Sequence, residues 1–332
     1  MNKAAKTATL GDVAARAGVS TASVSRYINN PDVVSADTGQ AIADAIAETG
    51  YIPNLLAGGL ASSKSRMVAV LIPHLSDSIF NDTIEAMSEE LASAGFTVLL
   101  GLTGPKGERH EDMVRASLAR RVDAIIATAP QTQNTSDLLG RSSTLFIQIW
   151  ELSEETPGIS IGFSHEDVGI DIARFLFSRG FARPHIVTAD GVRARKRGEA
   201  FKQEWLAQSG REATETFVDI PSRFGHARRI FADLRRLDAM PDVVVTGSDY
   251  LAQGLIIEAQ ASGLKVPEDL AVMGFGNSSL AGDMRPTITT VDIDGKRIAR
   301  EAIAAIRHAS TGAEPQASVV NVGFRLIARE SA

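Results

Sequence analysis

Four cations, Arg193, Arg195, Lys196 and Arg197, crowd the predicted start of a helix that continues through Ala200, Phe201 and Trp205. The positive end of a helix dipole disfavours cations there, so something must compensate. Two explanations stand: a solvated face salted by Glu199 and Glu204, or an anionic ligand held by Arg197. An arginine fork grips a carboxylate through two parallel hydrogen bonds. His110-Glu111-Asp112 and His165-Glu166-Asp167 contain metal-ligand types, yet each sits where a helix should start, and Ser164 with Asp167 reads as a cap. The chain has no cysteine, which excludes disulfides and thiolate chemistry and leaves a metal only His and carboxylates. Gly274-Phe275-Gly276 lacks the third glycine of a dinucleotide fingerprint, and Gly101 to Gly107 fits neither that pattern nor a phosphate loop. No serine, Ser248 included, sits in a nucleophile elbow. No catalytic residue, metal or cofactor is expected.

A second group stands near the N-terminus. Thr21, Ala22, Ser25 and Arg26 fall on one stripe of a predicted short helix, and Val24, Tyr27 and Ile28 fall on the other. The first stripe is small and polar and ends in a cation, a shape that enters a major groove where bulky side chains would hold a helix off. Arg26 can pair with guanine O6 and N7, and Thr21 can reach a base edge or a phosphate.

The elements that position these residues follow from caps and spacing. Thr9 with Asp12 starts a first helix whose Leu10, Val13, Ala14 and Ala17 share a face, and Gly18 stops it. Ser20 caps the second helix. Ser35 caps a third, which carries Ile42, Ala45 and Ile46 inward and ends at Gly50. On periodicity alone such a bundle could simply pack. From Met67 onward β-rich runs alternate with amphipathic stretches: Val68–Ile72, Thr97–Leu100, Ala124–Ala127 and Leu145–Ile149, then His185–Val187, Thr216–Val218, Val243–Val245 and Ala271–Met273. This is the rhythm of parallel sheets with crossover helices, whose ligands bind outside the carboxyl ends of the strands.

Length and charge agree with that division. At ~150 residues per domain, 332 residues predict about two domains, and 44% hydrophobic with 22% charged residues is ordinary globular composition. The formal charge of −6 argues against bulk electrostatic coating of nucleic acid. Residues 1–66 hold six basic residues against five acids, +1, which leaves −7 for the rest. Any DNA contact must come from the head and rely on geometry. No apolar run is long enough for a membrane span, and the N-terminal stretch lacks a signal-peptide core. Secretion is not expected, and the absence of cysteine fits a reducing cytoplasm.

Asp12-Val13-Ala14 through Ala17-Gly18-Val19-Ser20, then Val24-Ser25-Arg26, Val34-Ser35 and Gly50-Tyr51-Ile52-Pro53-Asn54 resemble the DNA-binding head of the lactose/galactose repressor family. The resemblance extends over nearly the whole chain. It implies an all-α helix-turn-helix head at 1–53, a hinge at 54–66, and an α/β body at 67–332. That body would hold two doubly wound parallel-sheet subdomains of periplasmic-binding-protein type, 67–162 plus 294–320 and 163–293 plus 321–332. Thr21, Ala22 and Arg26 would read operator bases, although Ala22 offers only a methyl group. Gly39 stands where the family often has Arg, removing a phosphate contact. Asn54 to Ser63 resembles the hinge helix, and Leu60 matches the leucine that wedges into the minor groove. Gly58 and Gly59 each cost a helix roughly 1 kcal/mol relative to Ala, so an isolated hinge should fold only on DNA.

In the body the resemblance brings Ile79 and Phe80 as an apolar wall, Gln148 and Trp150 at a strand end, and Phe163 at the crossover. It adds Arg197 on the effector, and Ser248, Asp249, Tyr250 and Asn277 beyond later strands. Packing is the competing explanation for Ile79, Phe80, Phe163 and Trp150, and helix capping for Asp249. Sugar-binding relatives commonly have acids where this chain has Asn277 and Gln148, and removing fixed negative charge while keeping Arg197 favours an anion. This pattern resembles the gluconate-repressor branch. The resemblance implies a cytoplasmic, homodimeric transcription repressor that reads pseudo-palindromic operator DNA and answers to a sugar acid such as gluconate. A solute-binding protein for sugar uptake is the alternative, with a sugar-acid enzyme behind it.

Overall fold

The computed structural model describes residues 8–53, 65–76, 79–129, 131–220, 223–311 and 318–332. Contacts divide the chain into two units, Met1–Ser65 and Arg66–Ala332. In the first, helix α1 (Leu10–Ala17) opens on a reciprocal cap. The Thr9 hydroxyl accepts from the Asp12 N–H at 3.3 Å while the Asp12 carboxylate accepts from the Thr9 N–H at 2.8 Å. Gly18 ends the helix in the left-handed region at φ 66°, a conformation without cost for glycine. Helix α2 (Thr21–Asn29) is capped by the Ser20 hydroxyl, which accepts from the Ser23 N–H at 3.1 Å.

Helix α3 (Ala36–Thr49) starts differently from the expectation. Ser35 holds the cap position, but its hydroxyl donates to the Thr38 hydroxyl at 2.9 Å and caps no backbone N–H. Two hydroxyls three residues apart satisfy each other. Val13, Ala14, Val24, Ile42 and Ala45 form the buried centre of the bundle, with Tyr27, Ile28 and Ile46 packed against it. Gly39 is buried under the Tyr27 ring, and an added Cβ would lie 3.2 Å from Tyr27 Cε2. In the described head this glycine seats an aromatic ring.

The second unit runs β1 (Met67–Ile72), α4 (Asn81–Ser93), β2 (Thr97–Leu102), α5 (His110–Ala119), β3 (Ala124–Ala127), α6 (Gln133–Gly140), β4 (Leu145–Ile149) and β5 (Ile159–Gly162). It continues through α7 (His165–Ser178), β6 (Pro184–Ala189), α8 (Val192–Ser209), β7 (Thr214–Val218), α9 (His226–Leu234), β8 (Val243–Thr246), α10 (Asp249–Ala261) and β9 (Ala271–Met273). It closes with α11 (Ser279–Asp283), β10 (Thr290–Asp292), α12 (Gly295–Ala309), β11 (Val319–Asn321) and β12 (Arg325–Ile327). Six strands pair in the parallel order β11-β5-β4-β3-β1-β2, and four more in the parallel order β7-β6-β8-β9. Strands β10 and β12 form an antiparallel ribbon.

In each parallel sheet the order reverses beside one strand, β1 in the first and β6 in the second, which opens a crevice at the carboxyl ends. The chain leaves the first sheet after β5 and returns through β10, α12 and β11, with α12 packed on α4, β4 and β5. Strands β1 and β3 are covered on both faces, so they read as unbroken apolar runs. Among the described residues no helix is long and apolar enough to cross a membrane, and no group of His, Cys, Asp and Glu could hold a metal ion.

Candidate functional site

Helix α8 carries Arg193 and Arg197 one turn apart, on one face. Around them lies a run of aromatic rings. The Arg193 guanidinium sits over Phe80, 5.5 Å from the ring centre, and that of Arg197 over Phe275 at 4.2 Å. Phe80 meets Trp150 edge to face at 5.0 Å, Trp150 meets Phe163 at 5.7 Å, and Phe163 lies 6.4 Å from Phe275. A cation thus stands at each end of a continuous aromatic array.

Trp150 has a φ of 67°, a region bulky residues rarely adopt and keep only where the surroundings hold them there. Three bonds do so. Its N–H donates to the Ile161 carbonyl at 2.9 Å, its indole N–H donates to Thr83 Oγ1 at 3.1 Å, and its carbonyl accepts from His165 Nε2 at 3.1 Å. With Nε2 donating, His165 Nδ1 is left to accept, and it takes an N–H of Arg197 at 3.0 Å. Burial first, then the charges of Arg197 and Arg193, push the His165 pKa down to about 2, so the ring is neutral.

The other cations of α8 are paired. Arg195 meets Asp190 at 2.5 Å, Lys196 meets Glu151 at 3.0 Å, and Lys202 meets Glu215 at 2.9 Å. Among the described residues neither Arg193 nor Arg197 has a carboxylate at ion-pair distance. Arg193 Nη1 is buried with no hydrogen-bond partner at all. Burial, and after it the charge of Arg193, bring the Arg197 pKa down to about 9. Burial also lowers that of Arg193, against the pull of Glu151. The compensation that α8 calls for is therefore met by carboxylates at Arg195 and Lys196 and left open at the two arginines facing the rings.

The remaining expected residues divide. Ile79, Tyr250 and Asp249 line a narrow recess with Phe275 and Gly276. Arg197, Thr188, Thr246 and Phe275 line another. Ser248 is the cap of α10, its hydroxyl accepting from the Leu251 N–H at 3.3 Å. The Asp249 carboxylate, whose pKa burial raises, accepts from the Thr290 hydroxyl at 2.6 Å and the Ser278 N–H at 2.7 Å. It ties the loop after β9 to β10 and does not cap its helix. Asn277 donates to Asp292 at 3.0 Å and accepts from Arg329 at 2.7 Å. Gln148 faces away from Ile147 and Ile149 and accepts from the Thr156 hydroxyl at 2.7 Å, so it is not brought to the array.

In the head, Thr21, Ala22 and Arg26 are exposed and Ser25 is half-buried, while Val24 is fully buried on the opposite side of α2. Leu60 and the Gly58-Gly59 pair lie outside the described residues.

Comparison with known proteins decides the family. Residues 9–54 match the model of bacterial regulatory proteins of the LacI family, and residues 173–332 match a periplasmic binding protein-like domain. The HTH-type transcriptional regulator GntR of Pseudomonas aeruginosa is 31% identical over 327 residues, covering 97% of this chain and 95% of its own. The chain belongs to the LacI family. A LacI-family transcriptional regulator from Silicibacter pomeroyi shares the fold at a TM-score of 0.88, with 24% identity over 98% of this chain and 99% of its own. The transcription regulator GntR of Chromobacterium violaceum matches at 0.73, with 27% identity over 80% of this chain and 98% of its own. The LacI-family assignment makes the chain a DNA-binding transcriptional repressor with a ligand-binding domain, and not an enzyme. The head at 9–54 also sets it apart from a solute-binding protein, which would share only the body.

Three residues of the array escaped the sequence reading. Phe275 was read only as part of a glycine pattern, His165 only as a helix start, and Arg193 only as one of a crowd. The i, i+4 spacing of Arg193 and Arg197 was the available signal, because it puts both on one helix face.

Proposed function

We propose that this LacI-family repressor is controlled by a sugar acid, gluconate or a close relative, held by Arg197 against the aromatic array. The observation that carries this reading is the half-buried Arg197 with no carboxylate at ion-pair distance, on a helix whose Arg195 and Lys196 both have one. A ligand carboxylate supplies the missing partner through two parallel hydrogen bonds. Neutral sugars would leave the charge uncompensated. Asn277 adds no negative charge that would oppose an anion, and the packed rings of Trp150, Phe163 and Phe275 make the surroundings of Arg197 apolar. The resemblance to the gluconate-repressor branch points the same way.

On the DNA side, Thr21, Ala22, Ser25 and Arg26 enter the major groove of a pseudo-palindromic operator, one head per half-site. One small head buries too little surface for operator affinity, so the working unit is a homodimer, acting in the cytoplasm. Leu60 wedges the minor groove at the centre. The body works as two subdomains, 67–162 plus 294–320 and 163–293 plus 321–332. The division of its strands between two parallel sheets supports this reading. Ligand closing the cleft between them shifts the hinge segments, and the coupling is reciprocal, typically ~1 to 3 kcal/mol.

Calorimetry against aldonates, neutral sugars and nucleobases tests the proposal. Heat with aldonates and a changed operator affinity in their presence are expected. Binding to neutral sugars or nucleobases with none to any sugar acid would refute it.

A further inference from the structure

Taking the sugar-acid reading as its basis, the charge around the array points to a narrower ligand. Three cations of α8 reach this region. Lys196 is neutralised by Glu151 at 3.0 Å, with the exposed Glu166 at 4.0 Å. Asp249 is engaged by Thr290 and Ser278, and Asp82 lines the recess beside Tyr250. His165 spends both ring nitrogens on Trp150 and Arg197. Among the described residues Arg193 and Arg197, one over Phe80 and one over Phe275, remain without a carboxylate at ion-pair distance. A single carboxylate can meet Arg197 only, leaving Arg193 Nη1 buried and without a partner. A buried charge left unpaired is strongly unfavourable.

We propose that the ligand is a dianionic sugar acid, with Arg197 taking one acidic group and Arg193 taking a second at the opposite end of the array. The second group is either a phosphate ester or another carboxylate. Both present several oxygens to a guanidinium, and the cations stand over different rings, so the two acidic groups belong at opposite ends of the sugar chain. Arg193 is then the specificity-determining residue, selecting the doubly charged acid over the singly charged one.

The test is calorimetry on the full-length protein with gluconate, 6-phosphogluconate and glucarate, repeated on Arg193→Gln. One or both dianions should bind roughly tenfold or more tighter than gluconate, the scale of a hydrogen-bonded charge pair, and which of them does so identifies the second group. Arg193→Gln should erase that preference by weakening the dianions at least about tenfold more than it weakens gluconate, since Arg197 keeps its own guanidinium for the shared acidic group. Its Tm without ligand should equal or exceed that of the parent, because an unpaired buried charge is gone, and this shows that the variant folds. Equal affinity for gluconate and both dianions in the parent would overturn the inference while leaving the sugar-acid reading intact. So would equal weakening of all three by Arg193→Gln. Binding of none of the acids would remove the sugar-acid reading and this inference together.

Discussion

Helix α2 and helix α8 both carry arginines to which we assign a binding role, in opposite surroundings. Arg26 is exposed on a helix whose far side packs into the bundle, so its charge stays hydrated until a partner arrives. Arg193 and Arg197 stand among aromatic rings, where burial depresses both guanidinium pKa values. The first arrangement costs the fold almost nothing and depends on salt. The second holds two charges in an unfavourable place, where the proposed anion would find them already oriented. Removing the arginine should therefore leave stability unchanged in the head and improve or preserve it in the body.

The largest effect should come from emptying the array. Phe163 is fully buried and touches Trp150 and His165 edge to face. Phe163→Ala should cost about 3–5 kcal/mol in denaturant unfolding and weaken effector binding as well. A loss under 1 kcal/mol would show that the array is loosely held. Next, Arg26→Ala should remove roughly 1–3 kcal/mol of base discrimination per half-site, read as loss of specific operator binding in fluorescence anisotropy. The Tm and the effector affinity should stay as they were. Loss of both binding activities would break the contrast between the two helices.

A pH scan sharpens the same contrast. All six histidines lie in the body. Burial and neighbouring charge hold His165 near 2, and burial alone holds His185 near 4, both below the ordinary 6.5. The unfolded chain takes up those protons first. Body stability is therefore full above about pH 6.5 and falls as the pH drops below it, by about 1 kcal/mol per unit for each group until its folded pKa is reached. His165→Asn should lessen that slope in urea titrations between pH 6.5 and 5, and the head alone should show none of it. The smallest effect belongs to Thr9→Ala. Loss of the reciprocal cap should cost the head about 1 kcal/mol, visible as faster amide exchange in α1.

The head was legible because its signals are local: caps at Thr9 and Ser20, stops at Gly18 and Gly50, and 3.6-residue spacing between them. Ser35 departed from the pattern because Thr38 offered its hydroxyl a partner. In the body the longer strands could be read from apolar runs. Strands β5, β10, β11 and β12 arise where the chain recrosses, and each carries a polar, charged or glycine residue that breaks the apolar run by which the equally short β3, β8 and β9 could be read. Strand parity could have turned Gln148 away, since Ile147 and Ile149 belong to the core on the other face. Nothing local announced that Asp249 and Asn277 would be held by Thr290, Asp292 and Arg329, whose separations of 15 to 52 residues only the fold closes.

The placement of the two tryptophans has a practical consequence. Trp150 lies inside the array, next to Phe80 at one cation-bearing end and two rings from Phe275 at the other, while Trp205 stacks on Phe201 at 6.0 Å in the interior. The proposed anion would change the field around one indole and leave the other alone. On that reading Trp150 would serve as an optical reporter of occupancy with Trp205 as an internal reference, and Trp205→Phe would isolate the responsive signal for titrations without any added dye.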